Sequence, residues 1–162
     1  MNPISVPRAV LGFTLGFCFV IFTTTAALSA LTGPNAELVR RVNELRAERD
    51  LAPLQGSPAL GQVAQAHAED MARHGYLSHI NLAGQNPLER VNAAGVRGFR
   101  LLAENIAVSS VRGDRTAIAI EEWLQSERHR ENLLNPAFNT TGVAVVKAPG
   151  NRTIFVQLFA SF

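Results

Sequence analysis

From residue 35 onward, apolar positions recur first at the three-to-four-residue spacing of helices and later at the two-residue spacing of strands. Asn35 is placed to cap a first helix reaching about Arg49, with Leu38, Val42, Leu45 and Arg49 on one face. Asp50–Leu51–Ala52–Pro53 breaks it. Ser57 followed by Pro58 predicts a second helix start, a hydroxyl cap and then a proline at the first position. Leu60, Val63, Ala64, His67 and Met71 form its apolar stripe, and Gly75 ends it. Asn86–Pro87 opens a third, shorter helix that stops at Gly95. A strand is expected over Phe99–Val108, and two more over about 141–147 and 153–160 across the turn Pro149–Gly150–Asn151. Between the first and second strands, Asp114 is placed to cap a fourth helix carrying Ile118, Ile120 and Trp123. In the last strand Ile154, Val156 and Leu158 fall on one face and Phe155 and Phe159 on the other. Both faces are apolar, which requires cover on both sides. The expected fold class is α/β (α+β), a three-layer α-β-α sandwich around a small antiparallel sheet.

Upstream of this domain the pattern is different. Arg8 precedes an uncharged apolar run from Ala9 to Phe22, followed by the small residues Thr23–Thr24–Thr25–Ala26–Ala27. That is the layout of a secretory signal, with Ala27 the best cleavage point. The uncharged span Ala9–Leu31 is also long enough to cross a bilayer, which takes about 20 apolar residues. Residues 1–30 are therefore expected to be a signal peptide or N-terminal membrane anchor, and 31–162 a single domain. Both alternatives put the domain outside the cytoplasm, secreted, periplasmic or membrane-anchored. The formal net charge of +2 includes Arg8, and the domain has neither a basic run nor a basic stripe interleaved with aromatics. Nucleic acid is not an expected partner. Cys18, inside the leader, is the single cysteine, so the domain has no disulfide and no cysteine-based metal or nucleophile site.

Three titratable side chains stand out from this layout. Glu104 shares a strand face with Leu102 and Ile106, where an unpaired carboxylate costs several kcal/mol and therefore needs partners. His79 follows the second helix, and His129 sits in Ser126–Glu127–Arg128–His129–Arg130. The two histidines are fifty positions apart, which is no local ligand spacing, and spacing alone does not bring the three together. His67 belongs to the apolar stripe and is expected in the core. His74 stands in the last turn of its helix, where a cation suits the dipole. Trp123 is expected to pack the core, Arg90 to anchor the third helix through hydrogen bonds, and Arg130 to lie at the surface.

Several short strings nevertheless occur together in a telling order: Val42–Asn43–Glu44–Leu45–Arg46, Leu51–Ala52–Pro53–Leu54, Ser78–His79, Arg90 with Ala94–Gly95, Glu104–Asn105–Ile106, Trp123-x-x-Ser126, His129–Arg130-x-Asn132–Leu133–Leu134, and Gly142–Val143–Ala144–Val145. In order and spacing the chain resembles bacterial members of the CAP superfamily (cysteine-rich secretory, antigen 5 and pathogenesis-related 1 proteins; the SCP domain) from about Glu37 to Phe162. The resemblance implies a cleft where two histidines and one or two acidic residues converge. His79, Glu104 and His129 would be three of these, with Asn105 beside them. The fourth position, often a glutamate in eukaryotic relatives, falls on Ser126. Ala103 stands where glycine is usual, and Glu127–Arg128 where Pro–Gly is usual; Glu127 either supplies the missing carboxylate or points to solvent.

Two imidazoles and a carboxylate make a ligand set for Zn²⁺ or another divalent metal at His79, His129 and Glu104. The alternative is a hydrogen-bonded polar cluster without metal. The expected function is a binding module for a small ligand, a lipid or a divalent metal. One alternative is a metal-dependent or serine hydrolase of envelope or extracellular material, with Ser126 as nucleophile, His129 as base and Glu104 as orienter. That version lacks a Gly-x-Ser-x-Gly elbow. Another is an interaction protein whose polar cluster is structural. Whether the chain is an enzyme is open at this point.

Overall fold

Ser57 and Pro58 open the second helix as their chemistry requires. In the computed structural model, which describes residues 33–162, the Ser57 hydroxyl accepts from the Leu60 N–H and Pro58 takes the first helical position. The stretch expected to be a leader, with Cys18, lies outside these residues. The described elements run α1 (Gly33–Ala47), β1 (Gln55–Gly56), α2 (Pro58–His74), α3 (Pro87–Ala93), β2 (Leu101–Ser109), α4 (Arg115–Gln125), α5 (Glu127–Leu134), β3 (Thr140–Ala148) and β4 (Arg152–Ser161). Gly75, at φ 73°, ends α2 in the left-handed conformation that glycine adopts without a Cβ penalty. Asn86 and Glu89 close a reciprocal capping box on α3, and the Asp114 carboxylate caps α4 through the Ala117 N–H. Among the described residues no helix is long and apolar enough to cross a membrane.

The sheet order is β1-β3-β4-β2. The three long strands are antiparallel as expected, and the two-residue β1 adds a parallel edge beside the start of β3, making the sheet mixed. One face carries Ile106, Ala144, Ile154, Val156, Leu158 and Ala160 against α2 and α3. The other carries Ala107, Val143, Phe155 and Phe159 against α1, α4 and α5. Both faces of β4 are thus covered, and the three-layer sandwich stands. The expected fourth helix is α4; a further helix, α5, follows after the chain turns extended at Ser126.

One side chain on α1 departs from the expected face. Arg46, not Arg49, turns inward and is fully buried. The helical stripe is Leu38, Val42, Arg46, a strict four-residue step that reaches position 46 instead of 45 and 49. Its guanidinium donates to the carbonyls of Ala52 (2.9 Å), Leu133 (2.8 Å), Asn135 (3.1 Å) and Phe138 (3.2 Å). Two of these lie at the C-terminal end of α5, where the helix dipole is negative. No carboxylate among the described residues pairs with this cation; backbone carbonyls replace its water.

α2 rests directly on β3 at Gly142, where a Cβ would run into the backbone of Leu60 and Gly61. Gly142→Ala is therefore expected to push α2 off the sheet and destabilise the domain by about 2 kcal/mol, the usual cost of overpacking against an unyielding neighbour. Urea unfolding checks this; an unchanged midpoint would mean that the layers are not in backbone contact there.

Candidate functional site

Glu104 shares the sheet face of Leu102 and Ile106, and its side chain is only 1% exposed. The partners that such a carboxylate requires are both present. Arg90, on α3, donates from Nη2 to Oε2 at 2.5 Å, and His79 Nδ1 lies 2.9 Å from Oε1. The same arginine donates from Nη1 to the carbonyls of His79 (2.7 Å) and Gln85 (2.9 Å). Arg90 therefore anchors more than its own helix: it ties α3, the segment after α2 and β2 to one buried carboxylate. Only the helix-anchoring part of this role was legible in the sequence. The signal for the rest was Glu104's need of a cation, which periodicity alone could not assign to a residue fourteen positions away.

His129 comes from the other side of the sheet. Asn105, the neighbour of Glu104, points to the opposite face and is fully buried. Its Nδ2 donates to the His129 carbonyl at 2.9 Å, and its Oδ1 accepts from Asn132 at 2.9 Å. The fold thus brings His79 and His129 together across the β2 edge, their ring centroids 6.3 Å apart and tilted by 50°. Asn105 stands behind the site and positions His129 by its backbone. With Nδ1–H donated to Glu104, the lone pair of a neutral His79 ring is on Nε2, and the ring is 46% exposed. His129 is held below the usual histidine range by burial and, secondarily, by the charge of His79. Its ring is thereby biased toward the neutral form that binds metals and accepts protons.

The other candidates divide clearly. Both Glu104 oxygens are engaged, and among the described residues no three His, Asp or Glu side chains are grouped closely enough to hold a metal ion. The geometry leaves a two-histidine arrangement with Glu104 as the orienter of His79. Ser126 is the junction of α4 and α5 and makes no side-chain cap bond. Among the described residues no hydrogen bond joins the Ser126 side chain to that of His129, or His129 to Glu104, so the hydrolase triad is not assembled. Glu127 is exposed in the first turn of α5. His67 is buried as expected; burial, with the nearby Arg90 charge, lowers its pKa, and its Nε2 donates to the Ser78 carbonyl at 2.9 Å. His74 is exposed beside Asp70. Trp123 is in the core and donates from Nε1 to the Ile106 carbonyl, and Arg130 is at the surface. Leu77 (45% exposed) and Ile80 (53%) flank His79.

This arrangement has counterparts among known proteins. The model of CAP, the cysteine-rich secretory protein family, matches residues 39–159. An uncharacterized Bacillus subtilis protein, YkwD, is 32% identical over 127 residues, 78% of this chain and 48% of that protein. An outer surface protein from Borrelia burgdorferi superposes with a TM-score of 0.69 at 28% identity, covering 77% of this chain and 90% of that one. An extracellular SCP-domain protein from Bacillus anthracis gives 0.67 at 30% identity, covering 78% of this chain and 39% of that one. The chain thus spans about half the length of the Bacillus subtilis relative.

Two outcomes follow from the geometry. Glu104→Gln leaves the buried Arg90 without its counter-charge and is expected to cost about 3 kcal/mol in urea unfolding, the scale for breaking a buried pair. A loss below about 0.5 kcal/mol, the range of surface substitutions, would show the pair to be solvated. His67 and His129 both have folded pKa values below the unfolded 6.5, so the unfolded chain binds more protons as the pH falls. Stability is expected to be flat above about pH 7 and to decline as the pH drops through 6.5. His129→Asn should flatten part of that decline in unfolding curves at about pH 7.5 and about pH 5.5.

Proposed function

Because the chain belongs to the CAP, or cysteine-rich secretory protein, family, we propose that it is a binding module acting outside the cytoplasm, with exposed His79 and half-buried His129 as its ligand site. Location is supported by the leader-like residues 1–30 and by relatives that are themselves an outer surface protein and an extracellular protein. The observation that carries the binding site is the Glu104–His79 contact. A buried carboxylate fixes the tautomer of an exposed imidazole and leaves Nε2 free next to a second, neutral imidazole.

Two imidazoles suit a divalent transition metal such as Zn²⁺, which would polarise a ligand oxygen or nitrogen when bound. His79 and His129 would hold it, and Glu104 would orient His79. With two protein donors the remaining positions fall to water or to the ligand, which favours exchangeable binding over a closed structural site. Binding is preferred to hydrolysis because a serine nucleophile here has no base in hydrogen-bond contact. An amphiphile is the second reading, supported by exposed Leu77 and Ile80 on either side of His79.

Calorimetric titration of the full chain with Zn²⁺ tests the proposal. Micromolar binding is expected, abolished by His79→Ala and by His129→Ala, and weakened at about pH 5.5 as protons compete for the rings. Absence of heat with the wild-type chain would remove the metal reading and turn the search to fatty acids and other single-chain amphiphiles.

A further inference from the structure

On the α1–α4 side of the sheet, away from both cleft histidines, lies a depression of about 760 Å³. Its polar lining is Arg112, Arg115, Thr116, Lys147, Asn151 and Thr153, three cations with no Asp or Glu among the lining residues. The adjacent carboxylate, Asp114, is engaged elsewhere, by Arg41 at 2.7 Å and by the Ala117 N–H. Arg115 is held in place: Nε donates to the Val111 carbonyl and Nη1 to the Thr153 hydroxyl, each at 2.8 Å. The first turn of α4, the positive end of its dipole, contributes Arg115 and Thr116 to the same depression. Cations, hydroxyls and a helix N-terminus around one concavity are complementary to a tetrahedral oxyanion.

We propose that this depression binds a phosphate group and that the phosphate is carried by the headgroup of an anionic phospholipid. Position favours the lipid source. Pro34 lines the depression and stands three residues after Leu31, where the apolar stretch ends. Three residues reach at most about 11 Å, so a retained leader would hold the depression at headgroup level. Val145, half-buried at its edge, adds an apolar contact suited to the glycerol carbons.

The test uses the full chain in micelles of a zwitterionic detergent, titrated with dihexanoyl phosphatidylglycerol, dihexanoyl phosphatidylcholine and inorganic phosphate. Phosphatidylglycerol should bind more tightly than phosphatidylcholine, weaken with added salt, and bind at least about tenfold more weakly to the Arg112→Ala/Lys147→Ala double variant. The charge-preserving Arg112→Lys/Lys147→Arg variant should retain binding, which separates loss of charge from loss of fold. Inorganic phosphate binding as tightly as phosphatidylglycerol would overturn the lipid source while keeping the phosphate site. No saturable binding of either, or equal affinity in the double alanine variant, would overturn the site itself.

Discussion

The arrangement of this molecule depends on a carboxylate buried in a sheet face. Glu104 cannot occupy that face without a counter-charge, and Arg90 supplies it from α3. A buried ion pair of this kind adds little net stability, since desolvation offsets most of the attraction. Its effect is positional. Arg90 also holds the His79 and Gln85 carbonyls, so the chain between α2 and α3 has no freedom to leave β2. Asn105, one residue on, performs the same service on the other face by holding the His129 carbonyl. Because consecutive strand residues point to opposite sides, a two-residue unit sets both halves of the cleft from both helical layers.

Arg46 does for the α1–α5 layer what Glu104 does for the other. A cation fully out of water is tolerated there because four carbonyls surround it, two of them at the end of α5. It joins α1, the segment before β1 and the α5–β3 connection. The chain has one cysteine and can form no internal disulfide, so cross-links between layers fall to polar anchors such as these and to the packed core.

Much of this was legible in the sequence. Ser57–Pro58, Asn86–Pro87 and Asp114 marked three helix starts by capping chemistry that is local and strong, and the two-faced apolar pattern of β4 required helices on both sides. What escaped had non-local causes. Gln55–Gly56 carries no strand pattern and becomes β1 only by pairing with Thr140 and Thr141. The restart of the chain as α5 after Ser126 falls inside a stretch with no proline or glycine to announce it. Arg46 reads as a surface residue by type, and only the carbonyls converging on it make its burial possible. In the site, the need of Glu104 for partners was evident, whereas their identity required the fold. Nor could the sequence show that both Glu104 oxygens are engaged, one by His79 and the other by Arg90.

Two side-chain hydrogen bonds, one of them that of Trp123, have a bearing on how the protein behaves in crowded surroundings. β2 is an edge strand, and Trp123 donates to its Ile106 carbonyl; β3 is uncovered beyond the short β1, and there Asn35 accepts from the Val145 N–H. Each open margin of the sheet is thus partly occupied by a side chain from a helix. An unsatisfied margin would act as a template for a strand of another molecule, and such recruitment begins most aggregates. Helices that build the core therefore also blunt the growth of the sheet in both directions, and the same contacts that pack the layers keep neighbouring molecules from adding strands.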